Sequence, residues 1–162
     1  MSLLDPQAAA AHHPRLNRLA FALCGSSELA EDLTQETYAR VLARPRRVHA
    51  NSTFHYLART LRNVVHDHRR AERRRPVLVS DEQLEDHPQT RADGDPHVAA
   101  QASEVYAAVA ALPAPMREVV AAVDLAGMSY AEAATALRIP IGTVMSRLYR
   151  ARERLAGALG DH

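Results

Sequence analysis

Residues 129–155 restrict this chain more than any other stretch. Ser129 and Glu132 stand three apart, the spacing at which an N-cap hydroxyl and a third-position carboxylate satisfy each other's free backbone N–H groups. They open a short helix to Leu137, and a tight "RIP" turn leads into "IPIGTVMSRLYRARERL", residues 139–155. On a wheel of about 100° per residue, Ile141, Val144, Leu148, Ala151 and Leu155 form one stripe, expected to pack on the short helix. Thr143, Ser146, Tyr149 and Arg150 gather on the other side, with Arg147 and Arg154 on one flank and Met145 and Arg152 on the other. Hydroxyls, a phenol ring and guanidinium groups suit phosphate oxygens, guanine edges and thymine methyls. A capped short helix, a turn and a longer helix make a helix-turn-helix, whose second helix enters the major groove. An ordinary amphipathic surface helix would have a similar wheel, so this unit needs support from the rest of the chain.

The remainder also reads as helix. Alanine and leucine abound, and the alternation of a half-buried strand is rare. Asp5-Pro6 gives an N-cap and a first-turn proline. The helix that follows reaches about Cys24, bent or restarted at Pro14, and Gly25 ends it. Ser27 can cap the next helix, with Glu28, Glu31 and Asp32 in the turns where the helix dipole favours anions. Pro45 stops that helix after Arg44, and "PRRVHANS" forms a loop. Asn51 or Ser52 then caps a long helix to about Arg74. A second helical block starts near Val98, with one helix over 114–126 and Gly127 at its C-terminal cap. The expected class is all-α: a helical bundle over 1–75, a flexible linker over 76–97, and a helix-turn-helix domain over 98–162.

Charge supports this division. The chain of 162 residues has a net charge of +1, but that balance hides strong segregation, and every one of its 20 cationic side chains is arginine. Residues 40–75 hold eleven arginines against Asp67 and Glu72. Residues 76–97 hold one arginine against six acids, and residues 138–154 hold five against Glu153. Two basic blocks around an acidic one point to two polyanion-binding surfaces and a linker. Cys24 is the only cysteine, so no intrachain disulfide can form and a disulfide scaffold is excluded. The chain has no glycine-rich phosphate loop and no run of eighteen apolar residues. His66 and His68 point about 200° apart on a helix and are expected to face solvent. A soluble, cytoplasmic protein is expected, with no cofactor, no metal and no catalytic constellation.

The stretch "LPAPMREVVAAVDLAGMSYAEAATALRIPIGTVMSRLYRARERL" resembles region four of bacterial RNA polymerase sigma factors of the extracytoplasmic-function group. Leu112-Pro113, Ser129-Tyr130-Ala131-Glu132, Gly142-Thr143-Val144, Ser146-Arg147 and Ala151-Arg152 carry the likeness. "AEDLTQETYARVLARP" is similar to region two, through Asp32-Leu33, Gln35-Glu36, Tyr38 and Arg40. The resemblance implies that Asp32, Gln35, Glu36, Tyr38 and Arg40 dock on the clamp coiled coil of the polymerase's largest subunit. Physically, Asp32, Gln35, Glu36 and Ala39 share a face at spacings of three and four, and such an acidic and amide face suits a basic partner.

"TFHYLARTLRNVVHDHRR" resembles the promoter-melting helix. Arg59, Arg62, Arg69 and Arg70 are its phosphate contacts, Arg62-Asn63 matches its pattern, and Phe54 and Tyr56 are either stacking platforms for unpaired bases or core. Asn51 is either an N-cap or a partner for a flipped base. On the upstream side, Thr143, Met145, Ser146, Arg147, Tyr149 and Arg150 form the expected reading face. The chain departs from the family pattern at Tyr56 for tryptophan, Ala133 for isoleucine, Arg138 for glycine and Met145 for a basic residue. The implied function is promoter-specific initiation with core RNA polymerase and promoter DNA as partners, −10 and −35 elements read by the two domains, and an anti-sigma protein as inhibitor. A linker of some twenty-two residues averages roughly 25 Å end to end, which lets the domains fold against each other when free. Two other classes fit parts of the chain: a dimeric helix-turn-helix regulator, which leaves residues 28–75 unexplained, and a pure protein-interaction module.

Overall fold

The computed structural model describes residues 1–75 and 96–160. Its helices are α1 (Pro6–Ala10), α2 (His13–Cys24), α3 (Ser27–Ala43), α4 (Thr53–Arg74), α5 (Pro96–Ala110), α6 (Ala114–Val120), α7 (Tyr130–Leu137) and α8 (Ile141–Gly160). A π-helical turn over Ala121–Leu125 continues α6. Two short strands, β1 (Ser2–Leu3) and β2 (Arg47–Val48), pair antiparallel, with Ser2 opposite Val48. This pairing ties the start of the chain to the loop before α4; the sequence reading has no strands. The acidic linker expected over 76–97 lies outside the described residues except for its last two positions, which already begin α5.

The N-terminal half is a bundle around α4. Leu57, Leu61, Val64 and Val65 of α4 meet Leu16, Leu19 and Leu23 of α2 and Leu33 and Val41 of α3, all buried. Pro14 restarts the chain: α1 ends at Ala10 and α2 begins at His13. Gly25 terminates α2 in the left-handed region, φ 75°, which glycine enters without steric cost. The cap of α3 is Ser26, whose hydroxyl accepts the Leu29 N–H at 3.2 Å, one residue earlier than expected. At α4 Ser52, one of the two expected caps, stands at the N-cap position but makes no side-chain capping bond. Ala50–Ser52 form a 3-10 turn and neither Asn51 nor Ser52 gives a side-chain capping bond; the 3-10 turn supplies the first-turn geometry instead.

In the C-terminal half, Val119, Val120, Ala133, Ala136, Val144, Leu148 and Ala151 close the core. The Ser129–Glu132 capping box is present in both directions, at 3.2 and 2.7 Å. Arg138 takes the left-handed position after α7, φ 56°. The expected helix over 114–126 ends in a π turn, because the Ala126 N–H reaches back to the Ala121 carbonyl and Met128 to Ala122. Ile141, placed by the wheel on the packing stripe, is 46% exposed, since it sits at the first residue of α8 before the helix reaches α7. The buried apolar residues form one continuous cluster through both halves. The π turn and α5 lie against α2, and α7 lies against α4.

Candidate nucleic-acid interface

Three faces carry the residues of interest. On α3, Asp32, Gln35 and Glu36 are all exposed. The Gln35 amide donates to Glu31 at 2.8 Å, and Glu36 pairs with Arg40. Arg40 also donates to Asp67 of α4 at 2.7 Å, and this second carboxylate, then Glu36, holds its guanidinium more firmly protonated than usual. The result is a hydrogen-bonded row of acids and amides with one arginine at its edge. Tyr38 is not on that open face. Its ring stacks on His13, and its hydroxyl donates to the Ala9 carbonyl at 3.1 Å. Burial raises its phenol, and it anchors α1 and α2 on α3.

The second face is that of α4. Asn51, Asn63 and Arg70 are exposed, while Tyr56, Arg59, Arg62 and Arg69 are half-buried. Phe54 and Tyr56 separate cleanly. Phe54 is 3% exposed and lies under the Arg15 guanidinium, 3.6 Å from the ring centre; it is core, and no base can stack on it here. Tyr56 borders an open cleft of about 390 Å³ with His55, Arg59, Glu132 and Thr135. The histidines differ from expectation as well. His66 and His68 are only partly exposed: His66 Nε2 lies 2.6 Å from Glu118, and His68 faces Glu72 at 3.2 Å.

The third face belongs to α8. Met145, Ser146, Tyr149 and Arg150 are exposed, and Thr143 and Arg147 half-exposed. Met145 and Tyr149 flank a largely apolar groove that reaches Tyr130 and Ala156. Arg152 forks onto Asp124 of the π turn at 2.6 and 3.2 Å; it braces α8 and is not free for a ligand. The Tyr149 phenol, hydrogen-bonded to Glu153, is raised. An outward face with hydroxyls, guanidinium groups and an exposed ring, on a helix braced from behind, can meet a groove edge.

Sequence reasoning missed the groups that join the halves. Glu118, 8% exposed, faces His66 and Arg62. His55 faces Glu132 at 3.1 Å. Arg15 donates to the Ala126 carbonyl, and burial lowers its guanidinium. Arg69 and Arg117 both donate to the Leu23 carbonyl. Phe21 and Tyr106 meet edge to face at 4.8 Å. Each pair is distant in sequence, and no local pattern marks it.

The fold and its three faces define a two-module, all-helical nucleic-acid-binding protein ending in a helix-turn-helix. Family models agree: "Sigma-70 region 2" matches residues 8–75 and "Sigma-70, region 4" matches residues 102–155. A probable RNA polymerase sigma-C factor of Mycobacterium bovis is 38% identical over 129 residues, covering 78% of this chain and 68% of that protein. The extracytoplasmic-function sigma factor EcfG of Rhodopseudomonas palustris is 33% identical over 90% of this chain and 80% of its own length. SigE of Mycolicibacterium smegmatis is 33% identical over 93% of this chain, which spans only 60% of that relative. Among solved structures, the sigma factor RpoE of Bartonella quintana, in complex with the anti-sigma factor NepR, superposes with a TM-score of 0.72 at 25% identity, over 96% of each chain. CnrH, in complex with the cytosolic domain of CnrY, shares the fold at a TM-score of 0.61 and 21% identity. The chain belongs to the sigma-70 family of RNA polymerase sigma factors, in its extracytoplasmic-function group. Among the described residues no helix is long and apolar enough to cross a membrane.

Proposed function

We propose that this chain is a promoter-specificity subunit: it binds core RNA polymerase and directs it to a particular set of promoters. It acts in the cytoplasm and catalyses nothing itself; specificity is lent to the polymerase's own active site. The observation that carries this reading is the co-occurrence, in one chain, of an exposed acid–amide row on α3, an arginine face on α4 and an outward helix-turn-helix face on α8. Asp32, Gln35 and Glu36 meet the polymerase clamp, with Arg40 at the edge and Tyr38 holding the helix in place. Asn51, Tyr56, Arg59, Arg62, Asn63, Arg69 and Arg70 bind the −10 element and its opened strand, phosphates going to arginine and an unpaired base to Tyr56. Phe54 supports this surface from beneath. Thr143, Met145, Ser146, Arg147, Tyr149 and Arg150 read the −35 element. The working units are residues 1–75 and 98–162, joined by the acidic segment 76–97. An anti-sigma protein as inhibitor is supported by the related RpoE structure, whose partner is the anti-sigma factor NepR.

Run-off transcription with core polymerase on genomic fragments tests this reading. New defined transcripts are expected only when the chain is added. Specific duplex binding by the chain alone, with no new transcripts, would instead favour a free-standing regulator.

A further inference from the structure

Resting on that reading, the contacts between the two halves acquire a role. The arginine face of α4, given above to DNA, is partly occupied by the chain itself. Glu118 of α6 inserts a nearly buried carboxylate between His66, at 2.6 Å, and the Arg62 Nε, at 3.5 Å. Arg69 is spent on the Leu23 carbonyl. Arg62, Arg69, Arg70 and Arg73 then line one wall of a cleft of about 400 Å³, and Glu118 and Arg147 lie on the other. Arg147 belongs to the face of α8 that would read the upstream element. Two promoter elements centred some 25 base pairs apart lie about 85 Å apart along B-form DNA. Reading faces that share one cleft cannot both reach them.

We propose that Glu118 is an internal phosphate surrogate, a carboxylate latch that holds the free chain shut with its downstream reading face masked. A carboxylate and a phosphate present similar acceptor oxygens to a guanidinium fork, so the same residue can serve both. The latch is built to yield. Among the described residues, the Arg62 Nε has no hydrogen-bond partner, and a DNA phosphate can supply one that Glu118 does not. When the halves part, Glu118 returns to water, so it is not left as a buried, unpaired charge.

The full-length chain, without polymerase, tests this with a fluorescent single-stranded 15-mer of mixed sequence at about 0.1 M salt, alongside small-angle scattering. Glu118→Gln keeps the side chain's shape and removes its charge. It is expected to bind the oligonucleotide at least fivefold more tightly than wild type and to have a larger radius of gyration. Glu104→Gln, an exposed change on α5, controls for the altered net charge and should stay within twofold of wild type. Glu118→Gln binding within twofold of wild type, or binding tighter with an unchanged radius, overturns the latch. If circular dichroism finds Glu118→Gln unfolded, the wild-type chain decides: saturating oligonucleotide must enlarge it, and a bound but equally compact chain overturns the proposal. Failure of the underlying function looks different. Adding Arg70→Ala to Glu118→Gln would then leave oligonucleotide affinity unchanged, and wild type would support no run-off transcript.

Discussion

Met145 is 50% exposed on the outward side of α8. A methionine there offers an apolar contact and no counter-ion. Met145→Arg should therefore tighten promoter binding by the polymerase complex and steepen its salt dependence by about one phosphate contact, a slope change of roughly 0.9 in log–log form. A titration of affinity against salt concentration checks this; an unchanged slope would place Met145 away from DNA. Glu36 is exposed and touches Arg40. On the proposed docking role of α3, Glu36→Arg reverses the charge of its acid–amide row without disturbing the core, so run-off transcription should fall to background while the circular dichroism spectrum is kept. Retained transcription would remove α3 from the polymerase contact. Side chains such as these, defined by type and helical spacing, were legible from the sequence. Phe54 and Tyr56 were not separable, because what buries Phe54 is Arg15, a neighbour only in three dimensions.

Helix ends were legible at most places where a local cap sets them, although the α3 cap is Ser26 and not Ser27. Gly25, the Ser129–Glu132 box and the stop before Pro45 all lie where short-range chemistry puts them. The larger departures arose where no local cap sets the end. The 3-10 turn stands in place of a side-chain cap before α4, and the π turn after α6 is met by α2 and by Arg152 of α8. The capping box has a pH signature. The Ser129 N–H, chiefly, and then the nearby His55 hold the Glu132 carboxyl below its ordinary value of 4.5. A carboxyl depressed in the folded state adds stability that is complete above the unfolded value and is lost as pH falls through the folded one. Urea midpoints should thus fall with acid below about pH 4.5 more steeply for wild type than for Glu132→Gln. Parallel slopes for the two proteins would show that the box does not carry this dependence.

At the scale of the whole molecule, composition and charge segregation gave two helical modules, and nothing in the sequence revealed how they meet. The joining groups are single residues scattered over five helices, and His66, read as a solvent-facing side chain, is one of them. The Phe21–Tyr106 contact is the largest aromatic piece of that junction, and such pairs contribute about 0.5–1.5 kcal/mol beyond the area they bury. Tyr106→Ala should leave both modules folded and uncouple them, so that calorimetry resolves two transitions where wild type has one. A single transition at a lower temperature would mean that Tyr106 supports one module only. The Arg15 bond to the Ala126 carbonyl has a consequence of another kind. One module lends the side chain that finishes a helix end in the other. Hybrids assembled from halves of different relatives would leave that carbonyl wanting a donor unless the donor travelled with it. The two halves are therefore suited to inheritance as a matched set, and shuffling them between paralogues carries a built-in handicap.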